Sequence, residues 1–103
     1  MKKNEAMYIG TCKITIEIPE ASSIKDKRNV LRSILARLRR EFRISAAEVG
    51  LLDELDMGEI GLACVSNSVA HADEVIAKAV NFVERNLGDG IMGDYQTEVI
   101  RAF

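Results

Sequence analysis

The chain has 103 residues, 48% of them hydrophobic and 29% charged, with a net charge of −2. A chain of that length buries enough apolar surface to fold as one domain without disulfides or metals. No apolar run approaches the roughly 20 residues that span a bilayer, so no membrane-spanning helix is expected here.

The start, MKKNEAMYIG, has two lysines but no apolar core segment or small-residue cleavage pattern, so it does not read as a signal peptide. Residues Met1 to Ala6 are expected to form a flexible tail ahead of a single domain over 7–103. From Tyr8 to Ile18 the residues alternate: Cys12, Ile14, Ile16 and Ile18 share one face, while Thr11, Lys13, Thr15 and Glu17 share the other. That is the period of a half-buried strand, ended by Pro19. Ile24 to Arg43 then places Ile24, Val30, Leu31, Ile34, Leu35, Leu38 and Phe42 on one helical face. Ser23 with Asp26 three residues later matches a helix-capping box, with Asp in place of Glu. Two short apolar runs, Ala46 to Leu52 and Glu59 to Ser66, flank the acidic DELDMG and read as a hairpin. A second helix is expected from about Ser68 to Leu87, with Val75, Ile76, Ala79, Val80, Phe82, Val83 and Leu87 inward, Asp73 and Glu74 in its first turn and Gly88 past its end. IMGDYQTEVI is the last strand.

The order β-α-β-β-α-β leaves few topologies once crossovers are right-handed and the middle strands are joined by a turn. The most economical is the ferredoxin-like α+β sandwich: a four-stranded antiparallel sheet with two helices on one face. Cys12 and Cys64 sit inside apolar stretches and are expected as buried, reduced thiols, which with the lack of a secretion signal suggests the cytoplasm.

The first helix is the unusual element. Ile24 to Arg43 holds eight basic residues against two acidic ones, a net +6 in a chain of net −2, so the rest carries −8. On a helical wheel Lys25, Arg28, Arg32, Arg39, Arg40 and Arg43 fall in a sector about 120° wide opposite the apolar face, along a stripe about 27 Å long. Only Lys27 and Arg37 read as lying nearer the edges of the apolar side. Arg28/Arg32 and Arg39/Arg43 are like-charge pairs at i,i+4, each unfavourable by about 0.2–0.5 kcal/mol. Burying seven large apolar side chains at about 1.5–3 kcal/mol each outweighs that. The stripe has two explanations. The chain's own acids, Asp73, Glu74 and Glu84 on the second helix or Asp53, Glu54, Asp56 and Glu59 in the hairpin, neutralise part of it, or it is a solvated face. Alternatively it meets an anionic partner, RNA phosphate above all, because arginine makes forked bonds to phosphate.

The run SIKDKRNVLRSILARLRREFRISAAEV, followed by GLACVSN and DYQTEVI, resembles the YlxP-like family of small bacterial proteins of unknown function, from Met7 to about Ile100. The most specific parts are Lys25-Asp26-Lys27-Arg28, the Phe42–Val49 junction and Val65-Ser66-Asn67. The resemblance implies a ferredoxin-like fold. It also implies a link to translation initiation and ribosome maturation, among whose genes those of the family tend to lie, and it implies no activity. The hairpin loop departs from the family pattern, being more acidic and without an aromatic.

The third strand, EIGLACVS, carries no aromatic, so base stacking on the sheet is not expected. Gly61, Ala63 and Val65, with Ile9 and Thr11 beside them, form a small, partly apolar patch if the larger set faces the helices. That patch reads as an exposed surface or as a homodimer or partner-protein contact. No metal site, cofactor motif or small-molecule substrate is identified: the acidic loop lacks calcium-loop spacing, His71 stands alone, and Gly88, Gly90 and Gly93 follow a helix instead of preceding one. The reading is a binding protein that contacts RNA or the ribosome through the first helix. The alternative is a homo-oligomeric interaction module using the open sheet face.

Overall fold

The computed structural model describes residues 5–103; the first four residues of the expected tail lie outside them. In chain order it contains β1 (Tyr8–Glu17), α1 (Ile24–Phe42), β2 (Ser45–Gly50), β3 (Met57–Ser66), α2 (Val69–Arg85) and β4 (Ile91–Arg101). The strands form one sheet in the order β2-β3-β1-β4, and every neighbouring pair is antiparallel. This is the ferredoxin-like arrangement.

The alternation in β1 sets which face is covered. Cys12, Ile14 and Ile16 are buried beneath the helices with Ile60 and Leu62 of β3, and Leu31, Ile34, Leu35 and Leu38 of α1 meet Ile76, Ala79, Val80 and Val83 of α2 above them. The larger set on β3 does face the helices, leaving Gly61, Ala63 and Val65 on the open side. Glycine lets the helices sit close: a Cβ on Gly10 would press on Ile76 and Ala72 of α2, and one on Gly58 would lie 2.6 Å from Leu31 Cδ1 of α1.

Local signals account for the helix ends. The Ser23 side chain accepts the Asp26 N–H, as a cap should. The return bond is displaced by one residue, because the Asp26 carboxylate accepts from the Ser22 N–H and hydroxyl instead of from Ser23. Those bonds from Ser22, with help from Lys25, hold the Asp26 carboxyl below its ordinary range. Ser68 caps α2 through the His71 N–H. Asp73 and Glu74 fall one turn later than expected, and the first turn of α2 has no acid; Glu74 pairs with Lys78 instead. Both cysteines are free thiols, but only Cys12 is fully buried, and burial pushes its thiol up to about 11. Among the described residues no helix is long and apolar enough to cross a membrane.

Candidate nucleic-acid interface

The eight cations of the first-helix segment have two fates. Three are captured by the protein itself.

Lys27 is the deepest. Its side chain is 0% exposed, and its ammonium donates to the carbonyls of Leu51 at 2.7 Å, Met57 at 3.1 Å and Leu52 at 3.3 Å. An ammonium has three N–H donors, so these carbonyls use them all. Glu48 Oε2, 3.8 Å away and without a hydrogen bond of its own, supplies neutralising charge and nothing more. The group therefore staples the β2–β3 loop to α1. It also accounts for the turn there, where Leu51 takes the left-handed backbone at φ 56° and directs its carbonyl to the lysine. The acids named from sequence for this role, Asp73, Glu74, Glu84, Asp53, Glu54, Asp56 and Glu59, do not fill it. The wheel held a signal: at about 200° from Lys25, Lys27 lies between Ile34 at about 180° and Leu38 at about 220°, in the middle of the apolar sector and not at its edge.

Arg37 is captured by α2. Its guanidinium donates to the Asn86 side-chain oxygen at 2.9 Å and to the Asn86 carbonyl at 3.4 Å, and lies over the Phe82 ring, 5.0 Å from the centroid. Phe82 also meets Phe42 edge-on, with ring centres 5.4 Å apart, so one cluster ties the ends of both helices. Among the described residues no carboxylate takes part. Arg39 is exposed on the outer stripe, yet its Nε and Nη2 both bond the Ala46 carbonyl, with Nε at 3.0 Å.

The other five, Lys25, Arg28, Arg32, Arg40 and Arg43, are exposed. Among the described residues the ion pairs are Lys27–Glu48 and Lys78–Glu74, and neither involves the stripe. Arg43 is the most telling of the five. It ends the helix in the left-handed region at φ 52° and ψ 44°, where glycine is the usual residue. A side chain there costs roughly 1–2 kcal/mol, and the chain carries a cation at that cost.

The opposite face of the sheet is different. Ile9, Thr11, Gly61, Ala63 and Val65 do lie together there, joined by Ser45 and Ala47 of β2 and Ile100 of β4. Val49 fills the space over Gly61. Val65 is 68% exposed, Val49 52% and Ile100 44%. Among the described residues no aromatic side chain stands on this face, because Tyr8 and Tyr95 both lie on the helix side of the sheet.

These features define a ferredoxin-like protein with an uncommitted cationic helix on one side and an uncovered, mildly apolar sheet on the other. The chain belongs to the family described as "Protein of unknown function (DUF503)", whose model matches residues 9–94. It is 32% identical over 76 residues to the uncharacterized protein YlxP of Bacillus subtilis (strain 168), covering 74% of this chain and 83% of that protein. Among solved structures it is similar to a C-terminal segment of the alpha subunit of aIF2 from Pyrococcus abyssi, with a TM-score of 0.56 and 12% identity over 95% of this chain. This chain spans 52% of that one, about half its length. It is also similar to a de novo designed protein with ferredoxin fold, with a TM-score of 0.54 and 10% identity, covering 92% of this chain and 85% of the design. At such identities the two structures speak for the fold alone.

Proposed function

We propose that the protein is a non-catalytic binding protein of the cytoplasm that docks on RNA, the ribosome included, through the exposed face of α1. The observation that carries this is the sorting of the cations. Lys27, Arg37 and Arg39 are bonded within the protein, and among the described residues the five others stay exposed on one outward face outside any ion pair, with Lys25 beside Asp26. Lys25, Arg28 and Arg32 occupy the first half of the helix, and Arg40 and Arg43 its end. Such a row meets a phosphate backbone along its length and reads little sequence, since contacts to phosphate position a protein without identifying bases. The aromatic-free sheet face agrees with a backbone reader.

The test is binding of structured and single-stranded RNA by the wild type and by Arg32→Glu/Arg40→Glu, which reverses two free cations and spares Arg39. The expected outcome is a loss of at least tenfold in affinity at moderate salt with an unchanged circular dichroism spectrum. Equal affinity for the two proteins overturns the reading.

A second reading rests on the open face, where Val65, Val49 and Ile100 are exposed around Gly61 and Ala63. It makes that face a contact for protein, another copy of the chain included. Ala63→Arg, at the centre of the patch, is then expected to abolish association and leave RNA binding intact; association that survives Ala63→Arg rejects it.

A further inference from the structure

The two edges of the sheet are unlike, and the difference points to a partner. In an antiparallel ladder, successive residues of an inner strand direct their peptide groups alternately to one neighbour and the other. On β1 the odd positions face β4, as Met7 shows by donating to the Phe103 carbonyl and accepting from the Ala102 N–H. The even positions face β3, and just past the strand's end Ile18 N–H bonds the Asp56 carbonyl. Carried through the registers, this turns the peptide groups of Ala46 to the free edge of β2 and those of Tyr95, Thr97 and Val99 to the free edge of β4.

The β2 edge is closed. It is six residues long, its register slips between Glu48 and Gly50, and Arg39 occupies the outward Ala46 carbonyl. These are devices by which proteins blunt an edge. The β4 edge has none of them over Tyr95–Arg101: the strand is eleven residues long, carries no proline or lysine, and its register with β1 is regular from Ile14 to Tyr8. Among the described residues nothing pairs with its outer side.

We infer that a second copy of the chain pairs there, β4 against β4, about a two-fold axis at Thr97, joining two sheets into one of eight strands. The strand's own residues suit a second copy and set this register above those centred one residue to either side. A two-fold axis normal to the sheet sets positions of equal parity opposite each other. Centred on Gln96 it would oppose Asp94 to Glu98, and centred on Glu98 it would oppose two glutamates. Like charges directly opposite are unfavourable. Centred on Thr97 it sets Thr97 against Thr97, Tyr95 against Val99 and Gln96 against Glu98. These are hydroxyl, aromatic with β-branched, and amide with carboxylate pairs, each of a favourable or neutral kind. On the helix side, Tyr95 and Thr97 line a groove with Ile76, Val80 and Asn81 of α2. The axis brings two such grooves edge to edge and covers Tyr95, which is 50% exposed in the single chain. This interface is separate from the cationic face of α1 and from the open sheet face.

Light scattering behind size exclusion tests it on the intact chain. The wild type, 11.4 kDa as a single chain, is expected at twice that mass. Thr97→Pro removes an N–H that points to solvent in one copy, so the fold is retained and the mass halves. Thr97→Lys sets two ammonium groups together on the axis and is expected to shift the dimer to monomer at low salt. It decides the matter should the proline variant fold poorly. A wild type that stays monomeric at about 100 µM, a hundredfold above a micromolar dissociation constant, overturns the inference. So does a dimer unaffected by both Thr97 variants. A dimer lost in Ala63→Arg and kept in both Thr97 variants also overturns it, and moves the contact to the open face.

Discussion

Lys27 and Arg32 are about one and a half turns apart on the same helix and both are cations, yet one is sealed beneath a loop and the other stands in solvent. Lys27 has exchanged its water for three carbonyls and a nearby carboxylate, which makes it a structural element. Arg32 is exposed and, among the described residues, has no hydrogen bond or ion pair to the protein. A count of charge alone therefore misjudges the helix. What matters is where each cation sits relative to the apolar sector, because a side chain inside that sector is taken by the core, whereas those opposite it stay exposed, Arg39 among them although it bonds the Ala46 carbonyl.

The contrast can be broken by substitution. Lys27→Ala strands three loop carbonyls and an inward Glu48 carboxylate and is expected to destabilise the fold by about 3–5 kcal/mol, the cost of removing one member of a buried pair. Urea unfolding measures it, and a loss under 1 kcal/mol would show that the loop closes without its staple. Arg37→Ala removes a charged hydrogen bond to Asn86 and the contact with Phe82. A loss of about 1–2 kcal/mol is expected, smaller because Arg37 is only partly buried. Arg32→Ala sharpens the comparison from the other side. Its stability is expected to stay within about 0.5 kcal/mol of wild type, as for a surface residue without partners, and a larger fall would mean that Arg32 is also committed to the fold.

The architecture was legible because its signals are local. Strict alternation from Cys12 to Ile18, the helical spacing from Val30 to Phe42 and the serine caps at Ser23 and Ser68 each act within a few residues. The open patch of Ile9, Thr11, Gly61, Ala63 and Val65 was legible for the same reason, since parity along a strand fixes which residues share a face. The partners of the captured cations were not. Glu48 reaches Lys27 only once β2 packs under α1, and Asn86 reaches Arg37 across the helix pair, so neither pairing has a signature in spacing. Arg39 was read as outward, which it is. Its bond to Ala46 depends on how the chain turns back after Phe42, a geometry set by the left-handed residue Arg43. The difference between the two sheet edges was equally hidden, because it follows from the register of strands distant in sequence.

Whether the exposed cations of α1 meet phosphate is read from the salt dependence of RNA binding. With three to five of Lys25, Arg28, Arg32, Arg40 and Arg43 engaged on a single strand, the slope of log affinity against log salt is expected at about −2 to −3.5, and about 1.4 shallower in Arg32→Glu/Arg40→Glu. A slope near zero, or one that the double substitution leaves unchanged, would contradict that contact.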